Sequence, residues 1–128
     1  MQDIIFQENW PIDLAKNKLI TELPYLGKQY KISFDLLITK LDFSSSDFLS
    51  IIHFTLGQDV SVYGDRTPGV WVYKDKALTV ASAVNGNRNF AFNTAPPNII
   101  NENVWHKVQL SQTLLDGKVN FHNKIYYY

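Results

Sequence analysis

Four residues able to recognise a ligand lie within the short segment from Gly57 to Pro68: Asp59, Tyr63, Asp65 and Arg66. A carboxylate beside a guanidinium can hydrogen-bond sugar hydroxyls, and the ring of Tyr63, or of Trp71 just beyond, can stack on a sugar's apolar face. Asp59 and Asp65 could instead offer oxygens to a calcium ion. A structural reading stands beside both: adjacent Asp and Arg brace a turn, Gly64 gives it backbone freedom, and Pro68 prepares the next strand. A second group, Asn85, Asn87 and Asn89, alternates with Gly86 and Arg88. Each asparagine amide carries donors and an acceptor, which suits bidentate contacts to hydroxyls. Asn-Gly is equally the preferred two-residue hairpin turn, so the same residues can simply connect two strands.

Catalytic chemistry finds less support. Glycoside hydrolysis needs two carboxyl groups flanking one bond. The glutamates Glu8, Glu22 and Glu102 have no paired spacing along a strand. His53, His106 and His122 sit in separate segments without local metal-ligand spacing, and core or surface roles on strands account for them. No Gly-rich phosphate loop or nucleophile elbow occurs. With no cysteine there is no disulfide, thiolate metal site or thiol nucleophile. The reading is a protein without catalytic residues.

The elements that must position these groups read as strands. Tyr30, Ile32, Phe34 and Leu36 alternate with Lys31, Ser33 and Asp35, as in a half-buried antiparallel strand. Leu49 to Leu56 is apolar on both parities apart from Ser50, His53 and Thr55, which predicts a central strand covered on both faces. Val70–Tyr73 and Leu78–Val84 are strands joined by Lys74-Asp75-Lys76 as a hairpin. Phe90–Phe92 is a short strand. Trp105–Gln112 and Lys118–Ile125 form a hairpin around Asp116-Gly117. Ile12–Ile20 follows a proline and reads as two turns of helix or, equally, as a strand from Lys18. Turn signals every eight to twelve residues predict a sandwich or barrel.

The 128 residues suit a single domain, spanning 1–128, with its own core. Twelve basic and twelve acidic side chains leave no net charge, which argues against a nucleic-acid partner. No run approaches the roughly 20 apolar residues of a membrane-spanning helix. The first ten residues carry neither the basic start nor the apolar run of a secretory leader, which taken alone suggests an intracellular chain.

Four passages resemble the concanavalin A-like lectin/glucanase superfamily, and within it the laminin-G-like jelly-roll domains. They are Leu26–Leu36, Ile51–Gly57 with Tyr63–Trp71, Leu78–Asn87, and Asn103–Leu110 with Asp116–Lys118. The resemblance implies an antiparallel β-sandwich of jelly-roll type in an extracellular recognition or adhesion module, with glycan or glycoprotein as partner and calcium as a possible ion. It implies ligand contacts at Tyr63, Asp65, Arg66, Asn85, Asn87 and Asn89. Domains of this type usually continue for several strands past the last hairpin, so the match is to a shortened or partial domain. An alternative function follows from that end of the chain. A structural or assembly subunit would bind protein, or a second copy, through a sheet edge and the aromatic Tyr126, Tyr127 and Tyr128. An unprotected edge strand invites pairing, so the last strand is expected to be covered by the N-terminal segment or another chain.

Overall fold

The computed structural model describes residues 6–15, 18–23, 29–55, 68–84, 87–115 and 118–127, with the side chains of 83–84, 87–89, 114–115 and 118–127 left aside. Seven strands follow in order: β1 Tyr30–Leu37, β2 Phe48–His53, β3 Gly69–Tyr73, β4 Leu78–Val84, β5 Asn87–Asn93, β6 Trp105–Leu115 and β7 Lys118–Tyr127. They form two antiparallel sheets, one ordered β1-β6-β7 and the other β2-β3-β4-β5. No helix occurs among the described residues.

Alternation explains how the sheets meet. Ile32, Phe34 and Leu36 of β1 share a face with Val108 and Leu110 of β6, through the pairs Phe34↔Val108 and Ile32↔Leu110. The other sheet answers with Val70, Val72, Leu78 and Val80. All belong to one apolar cluster, closed by Ile100 from the β5–β6 connection and flanked by Leu49, Ile51 and Ile52 of β2. Two sheets that share one core are arranged as a β-sandwich.

The expected central strand lies elsewhere. β2 stands at the end of its sheet order, and β3 is the strand buried on both faces. A register shift between Ser50 and Ile52 explains the misleading pattern. A bulge sets two residues opposite one, so Ile51 and Ile52 both pack against the core although they are consecutive. Apolar residues on both parities thus mark a bulged edge.

The segment Ile12–Ile20 is neither helix nor strand where it is described. Leu14 and Leu19 are 49% and 71% exposed while Ile12 and Ile20 are half-buried, so where it is described the segment buries little apolar surface that could offset ordering it. Phe90–Phe92 lengthens to β5, which takes in Asn87 and Asn89, and the last strand reaches Tyr127.

The connections at one end of the sandwich are fixed by backbone bonds. Lys76 adopts a left-handed φ of 70° and closes the β3–β4 turn, its N–H donating to Tyr73 O at 2.7 Å. The Asp75 carboxylate accepts the Ala77 N–H at 2.8 Å. Ile100 N–H donates to Lys76 O at 2.9 Å, which brings the β5–β6 connection under the same turn.

Candidate functional site

β2 to β5 run as a meander, so alternate connections return to the same end. The strand ends that flank residues 56–67 and residues 85–86 therefore lie at one end of the four-stranded sheet. The first is closed at its base by the pair His53↔Gly69 and by the Phe54 N–H donating to Pro68 O at 2.9 Å. The second is closed by the pair Val84↔Asn87. The β6–β7 hairpin comes to this end too, because Ser82 near the end of β4 reaches Gln112 near the end of β6.

A buried polar bridge underlies that end. Gln112 Oε1 accepts the Tyr30 hydroxyl at 2.9 Å and the Ser82 hydroxyl at 3.5 Å, so one amide oxygen joins both sheets. Ser82 and Gln112 are buried, and burial pushes the Tyr30 phenol well above its ordinary range against the lowering effect of a Ser82 hydrogen bond. At neutral pH the phenol is therefore a donor, as its bond to Gln112 requires. One sequence signal pointed here: Gln112 continues the inward parity of His106, Val108 and Leu110.

Trp71 occupies the face of β3 opposite the core, yet it is only 8% exposed. Its indole lies over Gly69, where an added Cβ would stand 2.8 Å from Cζ3, and His53 meets it edge-on at 5.3 Å between ring centroids. A ring so covered is no stacking platform, which corrects the expectation that Trp71 could hold a sugar. Trp105 is 46% exposed on β6 and Trp10 is 80% exposed in the N-terminal segment.

No protein-family model, curated protein or solved structure matches this chain. What it can do is therefore read from its own residues.

Asp59, Tyr63, Asp65, Arg66 and Asn85 lie outside the described residues. Asn87 and Asn89 are strand residues of β5, Asn87 at its first position. The pair Val84↔Asn87 sets Asn87 directly beside the connection at 85–86. Tyr126 and Tyr127 pair with Lys107 and His106 along β6, and Tyr128 lies outside the described residues. β7 ends its sheet order, and the described stretches 6–15 and 18–23 add no strand beside it.

The remaining candidates have structural attachments. Glu102 accepts the Leu41 N–H at 2.7 Å, and Glu8 accepts the N–H groups of Asn9 and Trp10 at 3.0 and 3.2 Å. His106 is fully buried, and its Nε2 accepts the Asn101 N–H at 3.3 Å. That bond needs the neutral ring, and burial lowers the histidine's pKa, opposed by a backbone hydrogen bond at Val104. Among the described residues no three histidine or carboxylate groups gather as a metal site would require.

Proposed function

We propose that the chain is a non-catalytic, lectin-like recognition module that binds glycan or glycoprotein at the end of the sandwich formed by the β2–β3 and β4–β5 connections. The supporting observation is topological: in the meander, the strand ends that flank the segment carrying Tyr63, Asp65 and Arg66 and those that flank Asn85 lie at one end of the sheet. Recognition groups carried on loops above a rigid scaffold gain precision from it. On this reading Asp65 and Arg66 bond sugar hydroxyls, Tyr63 stacks, and Asn85 with Asn87 and Asn89 rims the site. Asp59 and Asp65 are the residues a calcium ion would use. The finer assignment, a jelly roll of laminin-G-like kind working outside the cell, belongs to the same proposal.

A glycan array probed with and without chelator tests it. The expected result is retention of a defined glycan set that Arg66→Ala or Asp65→Ala abolishes while the far-UV spectrum stays unchanged. Binding that survives both substitutions, or no binding at all, overturns the proposal. Loss on chelation would assign the ion.

One observation favours a second reading, an assembly subunit. β7 is ten residues long and stands at the end of its sheet order. Deleting Tyr126 to Tyr128 would then change the oligomeric mass measured by light scattering, which the lectin reading does not require.

A further inference from the structure

The connection between β5 and β6 is tied to both sheets within a few consecutive residues. Ile99 bridges Ala77 and Ile100 N–H donates to Lys76 O, which attaches it to the β3–β4 turn of the four-stranded sheet. Glu102 accepts the Leu41 N–H, and Asn103 N–H donates to Ile38 O at 2.8 Å, which attaches it to the residues after β1. Between these ties, Asn101 N–H donates to Nε2 of His106 on β6 at 3.3 Å. The imidazole is sealed from water and shares the core-facing parity of Val108 and Leu110. Accepting at Nε2 puts the one proton of the neutral ring on Nδ1. A second proton, on Nε2, would set donor against donor at Asn101 and place a cation in the core.

We infer that this connection is an acid-released clasp: protonation of His106 releases Asn101 and opens the β3–β4 end of the sandwich while the strand ladders stay paired. Among the described residues, the charged groups of the surrounding elements lie elsewhere. Asp35 and Lys107 stand opposite each other at the alternate parity, on the outer face of the sheet. Lys40 and Asp42 after β1, Asp75 and Lys76 in the β3–β4 turn, and Glu102 are exposed. Tyr127, opposite His106 on β7, is of a type that carries no charge in acid. Strands β2, β3 and β4 hold no charged residue, and His53 of β2 meets Trp71 on the far face of its sheet. The sign follows from burial, which keeps the closed-state value of His106 below the ordinary 6.5. The opened form therefore takes up the proton first as pH falls, and its population is constant above about pH 6.5. Below that, one proton raises it by at most about tenfold per pH unit, until the closed-state value is passed. Opening withdraws Ile100 from the apolar cluster but spares the pairs Phe34↔Val108 and Ile32↔Leu110, so it costs less than unfolding. The clasp lies at the end opposite the β2–β3 and β4–β5 connections and does not depend on what they bind.

Amide exchange followed by NMR between pH 7.5 and 5 tests the clasp, each rate being divided by its intrinsic value at that pH. Protection at Ile100, Asn101 and Asn103 should fall by about two- to fivefold between pH 6.5 and 5.5. Val80 and Leu110 should be better protected at every pH, with a parallel fall, because unfolding exposes the same ring. Low concentrations of urea should speed exchange at Val80 and Leu110 and leave the clasp amides nearly unchanged, since a local opening exposes little surface. His106→Gln offers Asn101 a neutral acceptor, and should keep the clasp protected at pH 7.5 and flatten its pH dependence. His53→Gln should leave that dependence as in wild type. In wild type the Asn101 amide shift should follow the titration of the His106 ring, which keeps the test decisive should the glutamine variant not fold. Four outcomes overturn the inference: clasp amides that share the protection and urea response of the core, a pH dependence that survives His106→Gln, one abolished by His53→Gln, or an Asn101 shift that does not track the ring.

Discussion

At the scale of single residues, the buried polar groups carry the sharpest consequences. Gln112 Oε1 is the common acceptor for hydroxyls from two sheets. Gln112→Leu should destabilise the fold by about 1–3 kcal/mol, the cost of burying donors without their acceptor. Adding Tyr30→Phe and Ser82→Ala should recover part of that loss, measured by urea unfolding. His106 gives a pH signature. Its folded pKa is depressed below the ordinary 6.5, so the unfolded chain takes up a proton first as pH falls. Its contribution is constant above about 6.5 and is lost as pH drops from there through the folded value. Unfolding curves between pH 7.5 and 5 should show this decline, and His106→Leu should flatten it. Gly69→Ala drives a methyl into the indole of Trp71. A cost of about 1–3 kcal/mol is expected for such overpacking, with a shift in tryptophan emission.

Among the elements, strands that alternate cleanly were legible and those that do not were misread. Tyr30–Leu36 showed its face because one side packs on the core and the other holds Lys31, Ser33 and Asp35. The hairpin pairings on either side of 116–117 and 85–86 were legible because turn chemistry is local, and the ladders close at Leu115↔Lys118 and Val84↔Asn87. β2 was misplaced because a bulge imitates two-sided burial, and no single-strand pattern tells the two apart. The N-terminal segment carried a local pattern but, where it is described, buries little apolar surface, so pattern alone misled. Of the candidate site, sequence supplied residue types, while the shared end of the meander follows only from strand order. The β3–β4 turn offers an element-scale test. Asp75→Ala removes the bond to Ala77 N–H and should cost about 0.5–1.5 kcal/mol. The loss should appear as faster amide exchange at Ala77 before it appears elsewhere.

For the whole molecule, one apolar cluster drawn from both sheets implies a single cooperative unit. Leu110→Ala in one sheet and Leu78→Ala in the other should each lower the same unfolding midpoint, by about 2–5 kcal/mol of stability. Near- and far-ultraviolet dichroism should fall together in both variants. Separate transitions would show that the sheets do not share their stabilisation. The two sheets differ in charge, since β2, β3 and β4 contain no charged residue while β1 holds Lys31 and Asp35. The four-stranded sheet is buried through its centre on both faces, with Trp71, Thr79 and Ala81 covered on the side away from the core, and it has no room for solvated charge. The three-stranded sheet keeps an outer face that meets water, where Lys31, Ser33 and Asp35 of β1 are exposed.

The bond from Phe54 N–H to Pro68 O sets the evolutionary latitude of the segment it closes. With both ends held by the ladder, the intervening chain can change length or composition without shifting a strand register. Doubling such a closed loop costs only about 0.6 kcal/mol. The scaffold can therefore be kept while its specificity diverges, and related chains could differ most where this one places Tyr63, Asp65 and Arg66.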